Sequence, residues 1–327
     1  MRIANPIYDS VFKYLLSDPE VARLMISTIT ELDIVSVEPH NTEQIGRFSP
    51  ALCVFRLDFC ARIRLANGET QLVLIEIQKA KLPEDIMRFR RYLGEQYANK
   101  NNLVTEIKNG REVSSPLPII SIYFLGHQLD GIQAPVIKVR RQYFDAITRE
   151  ELKARAQFIE CLSHDSFVIQ IPLLQEPARS RLEKLLNFFD QHHADPDNEH
   201  QLIIDEDSVT PEFRSIARSL VRAGESSAVR KEMTLEDDFL ESILNLERES
   251  MARAEVVIKN AEAQAEAAIK QAEEQAQKAE EQAQKAEEQA QKAGMQAQKV
   301  GEQLRIALAT LIARGMSEDE ARRVLGL

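Results

Sequence analysis

FRLDFCARIRLANGETQLVLIEIQ, residues 55–78, decides the fold. From 52 to 65 residue types alternate: Phe55, Leu57, Phe59, Ala61, Ile63 and Leu65 fall on one side, Arg56, Asp58, Cys60, Arg62 and Arg64 on the other. A period of two marks a strand with an inside and an outside. Asn67-Gly68 signals a hairpin turn. Residues 71–78 follow as a strand so continuously apolar that it belongs in the middle of a sheet. The turn length sets which side chains meet. A two-residue turn would put Asp58 opposite Ile77. A three-residue loop, Ala66-Asn67-Gly68 with Gly68 left-handed, puts Asp58 opposite Glu76 and Arg56 opposite Gln78. Mid-strand carboxylates among apolar neighbours cost free energy unless they bind something. The odd loop is therefore expected, and with it a site on Asp58 and Glu76.

Outward from this hairpin, residues 5–30 read as a helix after Asn5-Pro6, and 84–100 as another. Residues 118–125 read as a buried strand, and short apolar stretches near 135–139 and 167–171 as edge strands. Strand, strand, helix, strand predicts a mixed α/β sheet flanked by helices. Helices over 178–190 and 211–250 are separated by the polar stretch 192–207. From Met251 the composition changes. QKAEEQA recurs from Gln277 and Gln284, and Ala or a larger apolar residue recurs in 4,3 spacing from Ala272 to Leu304, a heptad with Ala in its seam. Gly315 reads as a helix C′ residue, and Ser317 with Glu320 as a capping box. The expected units are 1–194, an α/β domain; 195–250, an acidic helical connector; 251–304, a coiled coil; and 305–327, a short helical cap.

The net charge of −11 is not spread evenly. Residues 1–194 hold 24 basic and 24 acidic side chains, so the excess acid belongs to the later segments. The first segment is free to offer basic patches to a phosphate backbone. Three cysteines, Cys53, Cys60 and Cys161, form no CxxC and read as reduced thiols. The first residues lack the basic start and apolar core of a signal peptide, and no apolar run is long enough to span a bilayer. A cytoplasmic protein with no membrane contact is expected.

NPIYDSVFKYLL (5–16), FRLDFCARI (55–63), LIEIQKAK (74–81) and DIMRFRRYLGEQY (85–97) together carry a family likeness. They resemble the Rpn-type nucleases of the PD-(D/E)XK superfamily, described as recombination-promoting nucleases or putative transposases. The likeness runs from about residue 4 to residue 190. It implies a restriction-endonuclease-like sheet and a metal-dependent DNA endonuclease tied to recombination, mobile elements or defence against foreign DNA. The superfamily pattern, an acid on one strand and Glu-x-Lys on the next, falls on Asp58, Glu76 and Gln78. Mg²⁺ or Mn²⁺ would be held by Asp58 and Glu76.

Gln78 departs from the pattern, because an amide orients water or a phosphate oxygen but brings no positive charge. Lys79 should point to the other face of the strand, and Lys81 is the freer substitute. Asp9 is an auxiliary acid or simply the i, i+4 partner of Lys13. Arg88, Arg91, Arg140 and Arg141 are the expected DNA contacts, and the coil an expected route to homo-oligomers. Two rivals stand beside this reading: a descendant that binds DNA without cutting, and an interaction protein whose coil is the functional part.

Overall fold

The computed structural model describes residues 1–40, 59–80, 85–108 and 110–327. In chain order the elements are β1 (Arg2–Ala4), α1 (Asp9–Leu16), α2 (Pro19–Thr30), β2 (Ile34–Pro39), β3 (Phe59–Leu65), β4 (Thr70–Gln78) and α3 (Asp85–Ala98). There follow β5 (Leu103–Lys108), β6 (Arg111–Pro116), β7 (Ile119–Leu125), β8 (Val136–Val139), β9 (Tyr143–Phe144), β10 (Glu151–Leu152), α4 (Gln157–Leu162) and β11 (Asp165–Gln170). The chain ends with α5 (Arg181–Leu186), β12 (Ala194–Asp195), β13 (Asn198–Ile203), α6 (Arg214–Glu225), α7 (Ser227–Ala313) and α8 (Glu318–Leu325).

A six-stranded mixed sheet in the order β2-β3-β4-β7-β11-β8 organises the α/β unit. The β3–β4 turn is the three-residue one. Gly68 has φ +88°, its N–H donates to the Leu65 carbonyl at 2.9 Å, and Leu65 donates to Glu69 at 2.8 Å. A side chain at φ +88° would be strained, which is why glycine stands there. The resulting register runs from Arg64↔Thr70 to Phe59↔Ile75. β4 then pairs in parallel with β7, after the α3 crossover and the β5–β6 hairpin.

Each face of β4 packs on its own layer. Val73, Ile75 and Ile77 join a large core with Phe12, Met25, Leu185, Phe189 and Leu220. Leu72 and Leu74, with Cys60, meet Phe89, Tyr92 and Leu93 of α3. Those three α3 residues recur at helical spacing, so one stripe of the helix covers the sheet. Each large side chain so buried contributes roughly 1.5–3 kcal/mol. Burial pushes the Cys60 thiol up to about 12, which leaves it inert.

Several expectations need correction. The single helix over 5–30 is two, because Pro19 at the start of α2 has no N–H to carry a helix through, and Asp18 accepts from Glu20 and Val21 N–H as an N-cap. The 167–171 stretch is no edge: β11 lies between β7 and β8. β2 and the β5–β6 hairpin were not anticipated. The boundary at 194 falls inside a compact unit, Met1–Ser242. Within the supposed connector, β13 pairs antiparallel with β1, and Phe213, Ile216, Leu220, Val229 and Met233 enter the main core.

The second unit is Ile243–Leu327. Its side chains from 250 to 303 are all exposed on one helix, α7. The end of that helix follows expectation. Gly315 takes φ +93°, Met316 N–H reaches back to Leu311 at 3.3 Å, and the Glu320 carboxylate accepts from Ser317. No helix among the described residues is long and apolar enough to cross a membrane.

The packing predicts where the chain can be cut. A fragment of residues 1–242 should melt cooperatively by circular dichroism. A fragment of 1–194 loses the partner strand of β1 and nine buried core residues from Leu202 to Met233, and should show no cooperative transition. A cooperative melt of the shorter fragment would contradict the integration of β13, α6 and the start of α7.

Candidate functional site

Even-numbered side chains of β4 face α3, and two of the buried ones are polar. Glu76 is 1% exposed and Gln78 is buried beside it. A carboxylate removed from water needs a counter-charge, and Arg88 of α3 supplies it, its Nη2 donating to Glu76 Oε1 at 2.7 Å. Arg88 lies one turn before Tyr92 on the stripe that packs on the sheet, so its direction follows from the burial of Phe89 and Tyr92. Opposite Glu76 in the parallel register stands Tyr123, whose ring contacts Phe89 at 4.1 Å between centroids. Burial and then the Glu76 charge raise the Tyr123 hydroxyl well above its ordinary value. Tyr123 therefore stays protonated.

The end of β4 is clamped by Gly126, whose N–H donates to the Gln78 carbonyl at 2.7 Å. A Cβ at 126 would lie 2.2 Å from the Lys79 carbonyl oxygen, so no other residue allows this approach. Neither Gly126 nor Tyr123 was singled out by sequence reasoning. Tyr123 belongs to the strand after the crossover and Gly126 follows its last residue, and no local pattern shows which residues will flank Glu76.

The register on which the expected Asp58–Glu76 pairing was built is present at Phe59↔Ile75. Asp58 itself and Lys81 lie outside the described residues, as do Arg56 and Cys53. Lys79 takes the opposite face, as expected. Its Nζ donates to Tyr8 Oη at 2.7 Å and to Asp237 Oδ1 at 2.5 Å, and sits 3.8 Å from the Tyr8 ring centre. Asp237 Oδ2 accepts from Tyr8 Oη at 3.1 Å and lies 2.7 Å from His200 Nε2. Its neighbour Glu236 accepts from Asp9 and Ser10 N–H, both at 2.9 Å, capping α1 from more than two hundred residues away. Asp9 receives Lys13 Nζ at 2.5 Å. The intrahelical ion pair is thus formed, on the helix end that Glu236 caps.

Ligand atoms of Glu199, His200 and Asp237 lie within 4.8 Å of one another. The donor set does not suit a divalent cation. Asp237 spends both oxygens on Lys79, Tyr8 and His200, and the Lys79 ammonium already stands where a metal's charge would. The cluster works as a latch between the start of α7 and the N-terminal elements. At β4 the oxygen donors of Glu76 and Gln78 do suit a hard cation, although Arg88 holds one Glu76 oxygen.

The expected DNA contacts separate. Arg91 is exposed on α3, while Arg88 is committed to Glu76. Arg140 and Arg141 lie beyond β8, near Asp165 at the start of β11. Asp165 pairs with Ile120, and Ile120 with Val73, so these arginines adjoin the end of the parallel strands away from Glu76. Arg141 is spent on Asp165 at 2.9 Å, Glu160 at 2.8 Å and the carbonyls of Glu160 and Ser163. His164 faces Tyr97 Oη at 2.8 Å, and burial, then the Arg141 charge, lowers its pKa.

The latch has a pH signature. Burial by itself raises the Asp237 carboxyl, but hydrogen bonds from Lys79, His200 and Tyr8 and the Lys79 charge together hold it below its ordinary 3.8. A lowered carboxylate stabilises the folded state above the unfolded value, and this is lost as pH falls through the folded one. Asp237→Asn should therefore lower the melting temperature at neutral pH by a few degrees and flatten the fall of stability below pH 3.8. Denaturant unfolding across that pH range reads both effects, and a wild-type acid slope in the variant would remove Asp237 from the latch.

No family model, no curated protein and no solved structure matches the chain.

Proposed function

We propose that the α/β unit is a metal-dependent DNA endonuclease of the PD-(D/E)XK type, with the restriction-endonuclease-like sheet that its Rpn-type resemblance implies. The observation that carries this reading is a carboxylate, Glu76, buried to 1% in the middle of a central strand with Gln78 on the same face. Further support comes from the β3–β4 register and from the parallel β4–β7 crossover. Glu76 would hold Mg²⁺ or Mn²⁺ together with Asp58, the expected second acid. The ion, when bound, activates water and neutralises charge on the reacting phosphate. Gln78 orients a water or phosphate oxygen through its amide. Arg88 fixes the orientation of Glu76 through its 2.7 Å contact.

One observation favours a second reading, a DNA-binding protein that does not cut. Arg88 already satisfies Glu76 at 2.7 Å, so the carboxylate is accommodated without a metal. Nicking of supercoiled plasmid separates the two. The endonuclease should nick in Mg²⁺ and not in chelator. Glu76→Gln and Asp58→Ala should each cut the rate at least a hundredfold, an effect of several kcal/mol, with melting preserved. Gln78→Lys should retain or raise it. Wild-type nicking by either acid variant sinks the site, and binding without metal-dependent nicking selects the second reading.

We infer that the tail self-associates, with its helices parallel. The seam places Ala276, Ala283, Ala290 and Ala297 at a, and Ala272, Ala279 and Ala286 at d. Beside it, Glu273, Glu280 and Glu287 fall at e, and Gln275, Gln282 and Gln289 at g. Parallel packing sets g against e′, amide against carboxylate, whereas antiparallel packing sets e against e′, acid against acid. The lysines are used within one helix, as in Lys292–Glu288 at 3.1 Å. The Ala seam buries little area per layer, so association should be modest, with Val300 and Leu304 the stronger end. Sedimentation should find the full chain larger than a monomer and a chain ending at Glu249 monomeric. Ala297→Cys should give a disulfide-linked dimer on oxidation. Monomeric full-length protein at micromolar concentration would reduce the tail to a spacer.

A further inference from the structure

At the end of the parallel strands away from Glu76, the β8–β9 and β10–α4 connections enclose a cavity of about 300 Å³. Four cations, Arg140, Arg141, Lys153 and Arg155, line it against one acid, Glu151. Two of the four are fixed in place. Arg141 is held by Asp165 and Glu160, and Arg155 by Glu160 at 3.1 Å with its guanidinium carbon 5.8 Å from the Tyr143 ring centre. Tyr143 in turn donates to Glu160. The wall of the cavity is therefore ordered without a ligand, which lowers the entropic cost of binding one. Arg140 and Lys153 are exposed, and neither is in an ion pair among the described residues. Glu160 and Asp165 answer Arg141 and much of Arg155, and Glu151 offsets part of the charge of Arg140 and Lys153, so the lining keeps a net positive charge.

We propose that this cavity is a binding site for a dianionic phosphate monoester carried by a nucleotide-sized group, gripped by Arg140 and Lys153 against the fixed edge of Arg155. Three features choose the ligand. Three cationic donors, Arg140, Lys153 and Arg155, match the three terminal oxygens of a monoester better than the two of a diester. Guanidinium forks fit phosphate oxygens in pairs. A cavity of about 300 Å³ exceeds what inorganic phosphate fills and lies at the lower end of small-molecule sites. The cavity is also separate from the Glu76 site. The Asp165 level of the sheet lies three residues from the Glu76 level along β7, about 10 Å at strand rise. Two sources carry this chemistry, a free mononucleotide and the phosphorylated end of a nucleic-acid strand.

The proposal does not rest on the endonuclease reading, and its test excludes metal. The full-length protein is titrated calorimetrically in chelator with a 5′-mononucleotide, its methyl diester and the unphosphorylated nucleoside. The mononucleotide should bind saturably, the diester at least tenfold more weakly, and the nucleoside not at all. The double variant Arg140→Glu, Lys153→Glu should lose at least tenfold in affinity. Arg253→Glu, Lys292→Glu, the same charge change placed on the tail, should bind as wild type. Fluorescence anisotropy with a short oligonucleotide, with and without a 5′-phosphate, then assigns the source. Tighter binding of the phosphorylated strand than of the mononucleotide points to strand ends, and the reverse to free nucleotide. The proposal is overturned if the wild type shows no saturable mononucleotide binding at millimolar concentration. It is equally overturned if the pocket variant, melting as wild type does, binds undiminished or if the diester binds as tightly.

Discussion

The β3–β4 register governs the molecule, and it is set by three residues at a turn. With Gly68 at φ +88° the loop holds Ala66, Asn67 and Gly68, and every side chain of β4 is assigned to a layer. Val73, Ile75 and Ile77 go to the large core, and Leu72, Leu74, Glu76 and Gln78 go to α3. A slip of one residue would exchange the two sets, sending a carboxylate into the phenylalanine core and leaving α3 without an apolar bed. The register is thus protected on both faces at once. That protection is what allows a charged residue to sit at the centre of the sheet.

Burying Glu76 has a consequence for α3. The helix docks through Phe89, Tyr92 and Leu93, and it brings Arg88 with it. Breaking the pair from the Arg88 side would take a guanidinium from a buried carboxylate, a change that typically costs about 3–5 kcal/mol. Packing and electrostatics therefore hold the crossover in one position, and Gly126 fixes the strand end beside it. The same arrangement bears on chemistry. A carboxylate held by a guanidinium is oriented and shielded from water, which suits both a metal ligand and a salt bridge. The nicking experiment decides between those two uses because the geometry is common to both.

The N-terminal elements are closed by the far end of the α/β unit. Glu236 caps α1, Asp237 joins Lys79 to Tyr8 and His200, and β13 completes a small sheet with β1. Lys79 is adjacent to Gln78 in sequence but points to the other face. The strand that carries the candidate site is therefore tied at its end to the first turns of α7.

Much of this was legible in residue order. Period-two alternation, Asn67-Gly68 and the apolar run 71–78 determined the hairpin, its register and the facing of Glu76 and Gln78, because strand periodicity and turn length are local properties. The heptads from Ala272, the Gly315 helix end and the Ser317–Glu320 box are local in the same way, and α7 and α8 follow them. What only the tertiary structure decided was who answers each charge. Arg88 reads as a free phosphate contact until α3 docks and turns it onto Glu76. Arg140 and Arg141 read as DNA contacts until packing commits Arg141 to Glu160 and Asp165 and the strands β4, β7 and β11 set both at the end of the sheet away from Glu76. Residues 195–242 read as an acidic linker because their partners, β1 and α1, lie some two hundred residues away. Sequence patterns report the environment of neighbours along the chain, whereas counter-charges and partner strands are set by packing between segments that no local period connects.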